Sequence, residues 1–331
     1  MFIIESYSVA VIFCLVTMVC WGSWANTQKL AAGNWRFELF YWDYVIGIVV
    51  LALLFALTLG STGSNGRSFL ADLQQASLGN IRSALVGGII FNAANILLGA
   101  AISIAGMSVA FPVGIGLALV IGVVVNYLDQ PVGQPTLLFA GVLLIIVAIG
   151  LNATAYRQAS ANHQGVSTNG LLLSIVSGAL MGMFYKFVAQ AMFPDFTHPV
   201  AGKLSPYSAV VCFSLGILAS NLLFNTLLMY RPFVGPPVSY AHYLKGTVRN
   251  HSMGILGGII WCVGMSFSII ASDKAGPAIS YGLGQGATVV AAIWGIYVWK
   301  EFRGSPRSTQ TLLQLMLVCY VVGLGLIIAA R

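Results

Sequence analysis

Charged residues punctuate this chain at wide intervals, and the stretches between them are of membrane length. Nine stretches contain no Asp, Glu, Lys or Arg: 6–28, 44–66, 83–128, 130–156, 158–185, 204–230, 250–272, 275–299 and 308–330. A bilayer core about 30 Å thick takes about 20 apolar residues per helix. Eight of the stretches predict one helix each, and 83–128 has room for two. The predicted spans are 7–29, 37–59, 82–103, 107–127, 135–155, 169–190, 207–229, 251–272, 276–298 and 309–330. The expected fold is an all-α polytopic membrane protein with ten transmembrane helices, integral to the plasma or inner membrane.

Composition narrows the class further. Only 7% of the 331 residues are charged and 58% are hydrophobic, whereas soluble domains run near ~25% charged. A disordered chain, a disulfide scaffold and nearly every soluble fold are excluded. Cys14, Cys20, Cys212, Cys262 and Cys319 all fall inside predicted spans without metal-ligand spacing, which reads as small buried hydrophobes. His163, His198, His242 and His251 sit singly in or beside loops and are expected at the surface. No cleavable signal peptide is expected, because nothing basic precedes the first apolar stretch. The net charge of +7 lies in short loops, where membrane topology accounts for it, so no nucleic-acid partner is expected. The longest connections, 60–81, 191–206 and 230–250, are too short to form a soluble catalytic domain.

The second half of the chain repeats the first. Residues 87–127 align without a gap on 257–297, pairing GGII (87–90 with 257–260), Ala-Gly (105–106 with 275–276), Gly-x-Gly (114–116 with 284–286) and Tyr127 with Tyr297. The offset of 170 residues is about half the chain. Five spans per half is an odd number, so the second half enters the membrane the other way up. Inverted repeats of this kind serve alternating access, one half rocking on the other. The expected units are 1–156, a linker at 157–168 and 169–331. Nine Lys and Arg fall in the loops after odd-numbered spans and five on the side of the termini, which places the termini outside.

A charge at membrane depth costs at least ~2.5–3.5 kcal/mol and therefore faces a cavity or a partner. Asp43, within FELFYWDY (37–44), reads as a proton-coupling or substrate-binding carboxylate, and equally as an interfacial acid among Phe40, Tyr41, Trp42 and Tyr44. Glu38, nearer the membrane edge, reads first as an interfacial acid and is the lesser coupling candidate. Lys186, between Tyr185 and Phe187, either joins an acid in coupling or snorkels past Gln190. Neutral polar residues form stripes: Asn92 and Asn95 on the third span, Trp24 and Asn26 at the end of the first, Asn221 and Asn225 on the seventh, and Tyr281 and Gln285 among the glycines of the ninth. Amides unpaired in lipid are costly, so each either bonds between helices or lines a wet cavity. Together, Trp24, Asn26, Asn92, Asn95, Tyr281 and Gln285 suit the binding of a neutral small-molecule substrate, planar or hydroxylated. An anion would call for Arg inside the bundle, where none occurs. No nucleophile–base pair or metal cluster is evident, so neither an enzyme nor a cofactor is expected. YGLGQGA (281–287) reads as close helix packing, and Gly323 and Gly325 permit a homodimer.

These features resemble the drug/metabolite transporter superfamily, and more closely the ureide permeases and their bacterial relatives. The resemblance rests on Gly-Ser-Trp at 22–24, Asp43-Tyr44, GGI with Asn95, Ser108-Val109, Asn126-Tyr127 with Asp129, and WGIYVWKEFR (294–303). It covers nearly the whole chain, and the superfamily includes bacterial glucose, ribose and rhamnose porters. It implies proton-coupled uptake of ureides and oxo-heterocycles such as allantoin and uracil. It also implies a central cavity between the first four spans of each half, with the fifth and tenth peripheral, and functional roles for Trp24, Asp43 and Asn95. Lys186 departs from the pattern, standing where a small residue or proline is expected. A sugar or nucleoside porter of the same superfamily is the nearest alternative.

Overall fold

The computed structural model describes residues 1–31, 35–63, 66–105, 107–159, 167–300 and 302–331, without the side chains of 107–109, 111 and 112. His163, Glu301, the Ser108 and Val109 side chains and most of the predicted linker lie outside the described residues. In chain order the elements are α1 (Tyr7–Ser23), α2 (Asn26–Leu30), α3 (Phe37–Leu57), α4 (Phe69–Gln75), α5 (Leu78–Ala105), α6 (Met107–Asp129), α7 (Pro135–Ala159) and α8 (Thr168–Ala191). They continue as α9 (Pro206–Tyr230), α10 (Tyr240–Leu244), α11 (Val248–Ala275), α12 (Pro277–Gly284), α13 (Ala287–Ile293), a π-helical turn (Trp294–Val298) and α14 (Arg307–Ala329). Among the described residues eight helical runs are long and apolar enough to cross a membrane: α3, α5, α7, α8, α9, α11, the interrupted run Pro277–Val298, and α14. The apolar helices Tyr7–Ser23 and Val113–Asp129 are shorter.

Local chemistry sets the helix ends. Ser6, Ser167, Ser205 and Thr247 cap α1, α8, α9 and α11 by accepting a backbone N–H from the first turn. Between α11 and α12 the chain reverses at Gly276, whose φ of 82° suits glycine, and Pro277 opens the next helix. Two predicted spans are interrupted. The first breaks at Trp24–Ala25 between α1 and α2, and the ninth breaks at Gln285–Gly286 between α12 and α13.

Glycines bring the helix backbones together in reciprocal pairs. A Cβ on Gly88 of α5 would lie 2.0 Å from the Phe213 carbonyl oxygen on α9, and one on Gly216 of α9 would lie 2.1 Å from that of Leu85. The same arrangement joins α3 and α11: Gly258 faces the Tyr44 oxygen at 1.9 Å and Gly47 faces that of Ile255 at 2.2 Å. On α7 and α14, Gly141 and Gly323 face each other's carbonyls at 2.6 and 2.9 Å. Such approaches are how helices associate where lipid removes the hydrophobic drive. Further packing joins α5 to α8 and α11 to α1. Side chains reinforce it, Ser177 donating to Ala94 O at 2.8 Å and Thr17 to Gly264 O at 2.8 Å.

Candidate functional site

The packed helices leave a cavity of about 470 Å³ in the middle of the bundle, within the range that takes small molecules. Both helix interruptions lie on its wall, which includes Trp24, Ala25, Gln285 and Ala287. Along α5 the lining begins at Phe91 and ends at Ser103, and loop residues Phe233 and Val234 also line it. The cavity therefore extends from mid-membrane toward the face opposite the chain termini. Trp21, Phe91, Phe184 and Trp261 form its inner end. Phe91 packs on Trp261 with ring centroids 4.4 Å apart and on Phe184 at 5.2 Å. Phe213 backs this floor, 5.6 Å from Phe91 and 5.7 Å from Phe184.

Polar groups on the wall fall into two kinds, those consumed by protein contacts and those left facing the space. Asn26 is consumed: it accepts the Trp299 indole N–H at 2.6 Å and donates to Ser23 O at 3.0 Å. Glu38 accepts from Arg36 at 3.1 and 2.5 Å, and Arg36 also donates to the carbonyls of Val234 and Pro236 at the mouth. Lys29 lies over the Trp299 ring, 4.7 Å from its centroid. Asn95 is different. Its Nδ2 donates to Tyr41 Oη at 3.1 Å, while its Oδ1 has no partner among the described residues. Gln285, on the interruption of the ninth span, has no side-chain partner among the described residues, and neither does the indole N–H of Trp24. The Trp24 ring packs on Tyr44 at 4.6 Å.

Of the nine residues given a coupling or binding role from sequence, Trp24, Asn26, Glu38, Asn95 and Gln285 stand on the cavity wall, and Asp43, Asn92, Lys186 and Tyr281 do not. Asn92 lies behind Asn95, accepting from Tyr41 Oη at 2.9 Å and donating to Ser220 Oγ at 2.9 Å. Tyr281 lies beneath the floor, its hydroxyl shared between the carbonyls of Ala118 at 3.2 Å and Met181 at 3.1 Å. Lys186 pairs with Asp129 at 3.7 Å near the C-terminal ends of α8 and α6, on the side of the chain termini. Asp43 points away from the cavity, between α3, α10 and α11. It accepts from Tyr243 Oη at 2.6 Å, and its Oδ2 lies 2.9 Å from His251 Nδ1. Burial and the neighbouring Asp43 hold the Tyr243 phenol well above its ordinary pKa, so it stays a donor. Asn225 serves as helix glue, donating to Glu38 O at 2.9 Å, whereas Asn221 departs from the expectation: it is fully buried off the cavity wall, with neither amide atom hydrogen-bonded among the described residues.

Several expectations change. His251 is not a free surface histidine; it sits against the rings of Trp35 and Tyr243 and beside Asp43. Its place at the start of a span, four residues before the Ile255 contact, was the available signal. The fifth span is not wholly peripheral, because Ile149, Asn152 and Tyr156 of α7 line the cavity, as does Tyr320 of α14. Asn152, a lone amide in an apolar helix, carries the same sequence signal as Asn95. Trp261 carried no polar mark.

A bundle of apolar helices around such a cavity defines an integral, multi-pass membrane protein of the permease kind. The family model for ureide permeases matches residues 40–169 and 164–330, and the chain belongs to that family. It is 24% identical to ureide permease 1 of Arabidopsis thaliana over 100% of this chain and 99% of that one. It is 27% identical to the glucose uptake protein GlcU of Bacillus subtilis (strain 168) over 69% of each. A solved crystal structure shares the fold with a TM-score of 0.61 at 15% identity, covering 95% of this chain and 96% of that chain.

Proposed function

We propose that the protein is a secondary transporter for uptake of a small neutral solute of the ureide class. The observation that carries this reading is the cavity wall, where Asn95 Oδ1, the Gln285 amide and the Trp24 indole face the space between flat aromatic rings. A planar oxo-heterocycle carries N–H donors and C=O acceptors on its edge and a stacking face, which is what these groups complement. The family's name and that of its plant relative point to the same class. The charged lining groups Glu38 and Lys29 are engaged with Arg36 and Trp299, which favours a neutral solute.

Transport would proceed by alternating access of two inverted five-helix halves, 1–156 and 169–331, counting α1–α2 and α6 among ten spans. The glycine crossings support this. Gly88 and Gly258, and Leu85 and Ile255, stand 170 residues apart, while Gly47 and Gly216, and Tyr44 and Phe213, stand 169 apart. With the termini outside, the cavity opens to the cytoplasm. Protons drive uptake, with Asp43 as the protonation site. Asp43 would act through α11, where Gly254 leaves room for its Cβ, and through Tyr243 and His251.

The test is uptake of labelled allantoin, uracil and glucose into proteoliposomes with and without an inward proton gradient. Gradient-dependent accumulation of allantoin or uracil is expected, and Asp43→Asn should abolish accumulation while leaving exchange intact. A mutant that accumulates as well as wild type would remove Asp43 from coupling. Accumulation of glucose alone would favour the second reading, a sugar porter, which rests on the similarity to the glucose uptake protein.

A further inference from the structure

Behind Asn95 runs a chain of hydrogen bonds in which every link is buried. Asn95 Nδ2 donates to Tyr41 Oη at 3.1 Å, Tyr41 donates to Asn92 Oδ1 at 2.9 Å, Asn92 Nδ2 donates to Ser220 Oγ at 2.9 Å, and Ser220 donates to Gly216 O at 2.8 Å. The chain joins three helices, α3, α5 and α9, and ends on a backbone carbonyl, which can only accept. That end sets the direction of the rest. With the Ser220 proton on Gly216 O, the serine oxygen must accept, so Asn92 presents its NH₂ to it and its carbonyl to Tyr41. The Tyr41 oxygen must then accept, so Asn95 presents its NH₂ to Tyr41 and its carbonyl to the cavity. Reversing the chain rotates both amides and turns the serine hydroxyl toward Asn92, which forfeits the bond to Gly216. The observed direction keeps four hydrogen bonds and the reversed one keeps three.

We propose that this relay makes Ser220, Asn92 and Tyr41 positioning residues that fix Asn95 as a hydrogen-bond acceptor, so that the cavity selects ligands presenting an N–H donor at that point. The inference rests on the cavity being the solute site and extends it to the rule by which ligands are chosen. Removing the far end shows the logic. In Ser220→Ala both directions keep two bonds, Asn95 turns freely between acceptor and donor, and the preference fades although Ser220 does not line the cavity. Ser220→Thr keeps a hydroxyl at the same point and keeps the preference.

Binding to the purified protein, read from tryptophan fluorescence because Trp24, Trp261 and Trp21 line the cavity, separates the cases. The probes are 2-imidazolidinone and ethylene carbonate, five-membered rings of one shape in which N–H groups are exchanged for oxygens. Wild type and Ser220→Thr should prefer 2-imidazolidinone by about tenfold or more, the worth of one well-made hydrogen bond. Ser220→Ala should reduce that preference to about threefold or less. A structural defect would weaken both rings alike and leave their ratio unchanged, which would overturn the proposal, as would binding of neither ring. Parallel uptake assays keep the two readings apart. A Ser220-dependent ratio without allantoin or uracil transport would sustain the relay and reject the ureide substrate. Transport with a ratio indifferent to Ser220 would do the reverse.

Discussion

On α11, Gly258 lies so near α3 that an added Cβ would come 1.9 Å from the Tyr44 carbonyl oxygen and 2.9 Å from Ile48 N. Ordinary contact begins at 3.4 Å, so Gly258→Ala forces the two helices apart by about 1.5 Å along that line. Backbone atoms inside a helix cannot swing aside as a side chain can. The displacement also disturbs Gly47 against Ile255 and Gly254 against Asp43. Overpacking a tight site costs about 1–3 kcal/mol, and two disturbed neighbours put this case at the upper end. The better helix propensity of alanine returns at most about 1 kcal/mol, which leaves a net loss of about 2 kcal/mol. At about 2–4 °C per kcal/mol for a large chain, the apparent Tm in detergent should fall by about 4–8 °C at fixed scan rate. Gly88→Ala, facing the Phe213 oxygen at 2.0 Å, should fall similarly, whereas Gly150→Ala and Gly325→Ala meet nothing within 4 Å and should not fall. If Gly258→Ala melts together with those controls, the close-approach reasoning is wrong.

Other perturbations reach different parts of the molecule. Lys186→Met should leave solute binding within about twofold, because its partner Asp129 and its position lie away from the cavity wall; a tenfold loss by fluorescence titration would tie it to the site. Phe91→Ala removes the ring that touches both Trp261 and Phe184 and should let preloaded solute leak from proteoliposomes, so tight retention would count against the floor. Asp195 is held below the ordinary carboxylate range by its hydrogen bonds to Thr197 and His198. Its contribution to stability is therefore present above the unfolded-state pKa and lost as pH falls through the folded value. The pair is largely exposed, so screening keeps it small. Asp195→Asn should shift neither the neutral-pH Tm nor its acid limb detectably, and a clear shift in melts across that pH range would contradict the screening argument.

Much of the architecture could be read from the chain because lipid makes strict demands. Long charge-free stretches place the helices, and the GGII repeat at 87–90 and 257–260 contains Gly88 and Gly258, both found at backbone crossings. Asn95, Gln285 and Trp24 were legible as polar groups that must face something other than lipid. Depth was legible, but direction around a helix was not. Asp43 and Glu38 lie five residues apart on α3, and only Glu38 faces the cavity. Asn92 and Asn95 share a stripe, yet Asn92 is used up by Tyr41 and Ser220, partners on other helices. His251 looked like a surface residue because its partner, Asp43, stands 208 positions earlier. The interruption at Gln285–Gly286 was hidden by hydropathy, which averages across a break.

The relay behind Asn95 is not repeated further along the chain, and it ties α3 and α5 to α9 beyond the linker. At the matching positions 170 residues on, Asn92 gives way to Cys262 and Asn95 to Met265, and at the 169-residue spacing Tyr41 gives way to Val210. The glycine crossings recur at this spacing and the relay does not. Under the alternating access proposed above, a solute held against Asn95 would be tied through the relay to both units, to α3 and α5 in one and to α9 in the other. Rocking of one unit on the other would strain the Asn92–Ser220 link, so the two orientations would hold the solute with unequal strength. Half-saturation measured from one side of the membrane would then differ from that measured from the other, with the maximal rates differing in proportion, because an uncoupled carrier cannot concentrate its solute.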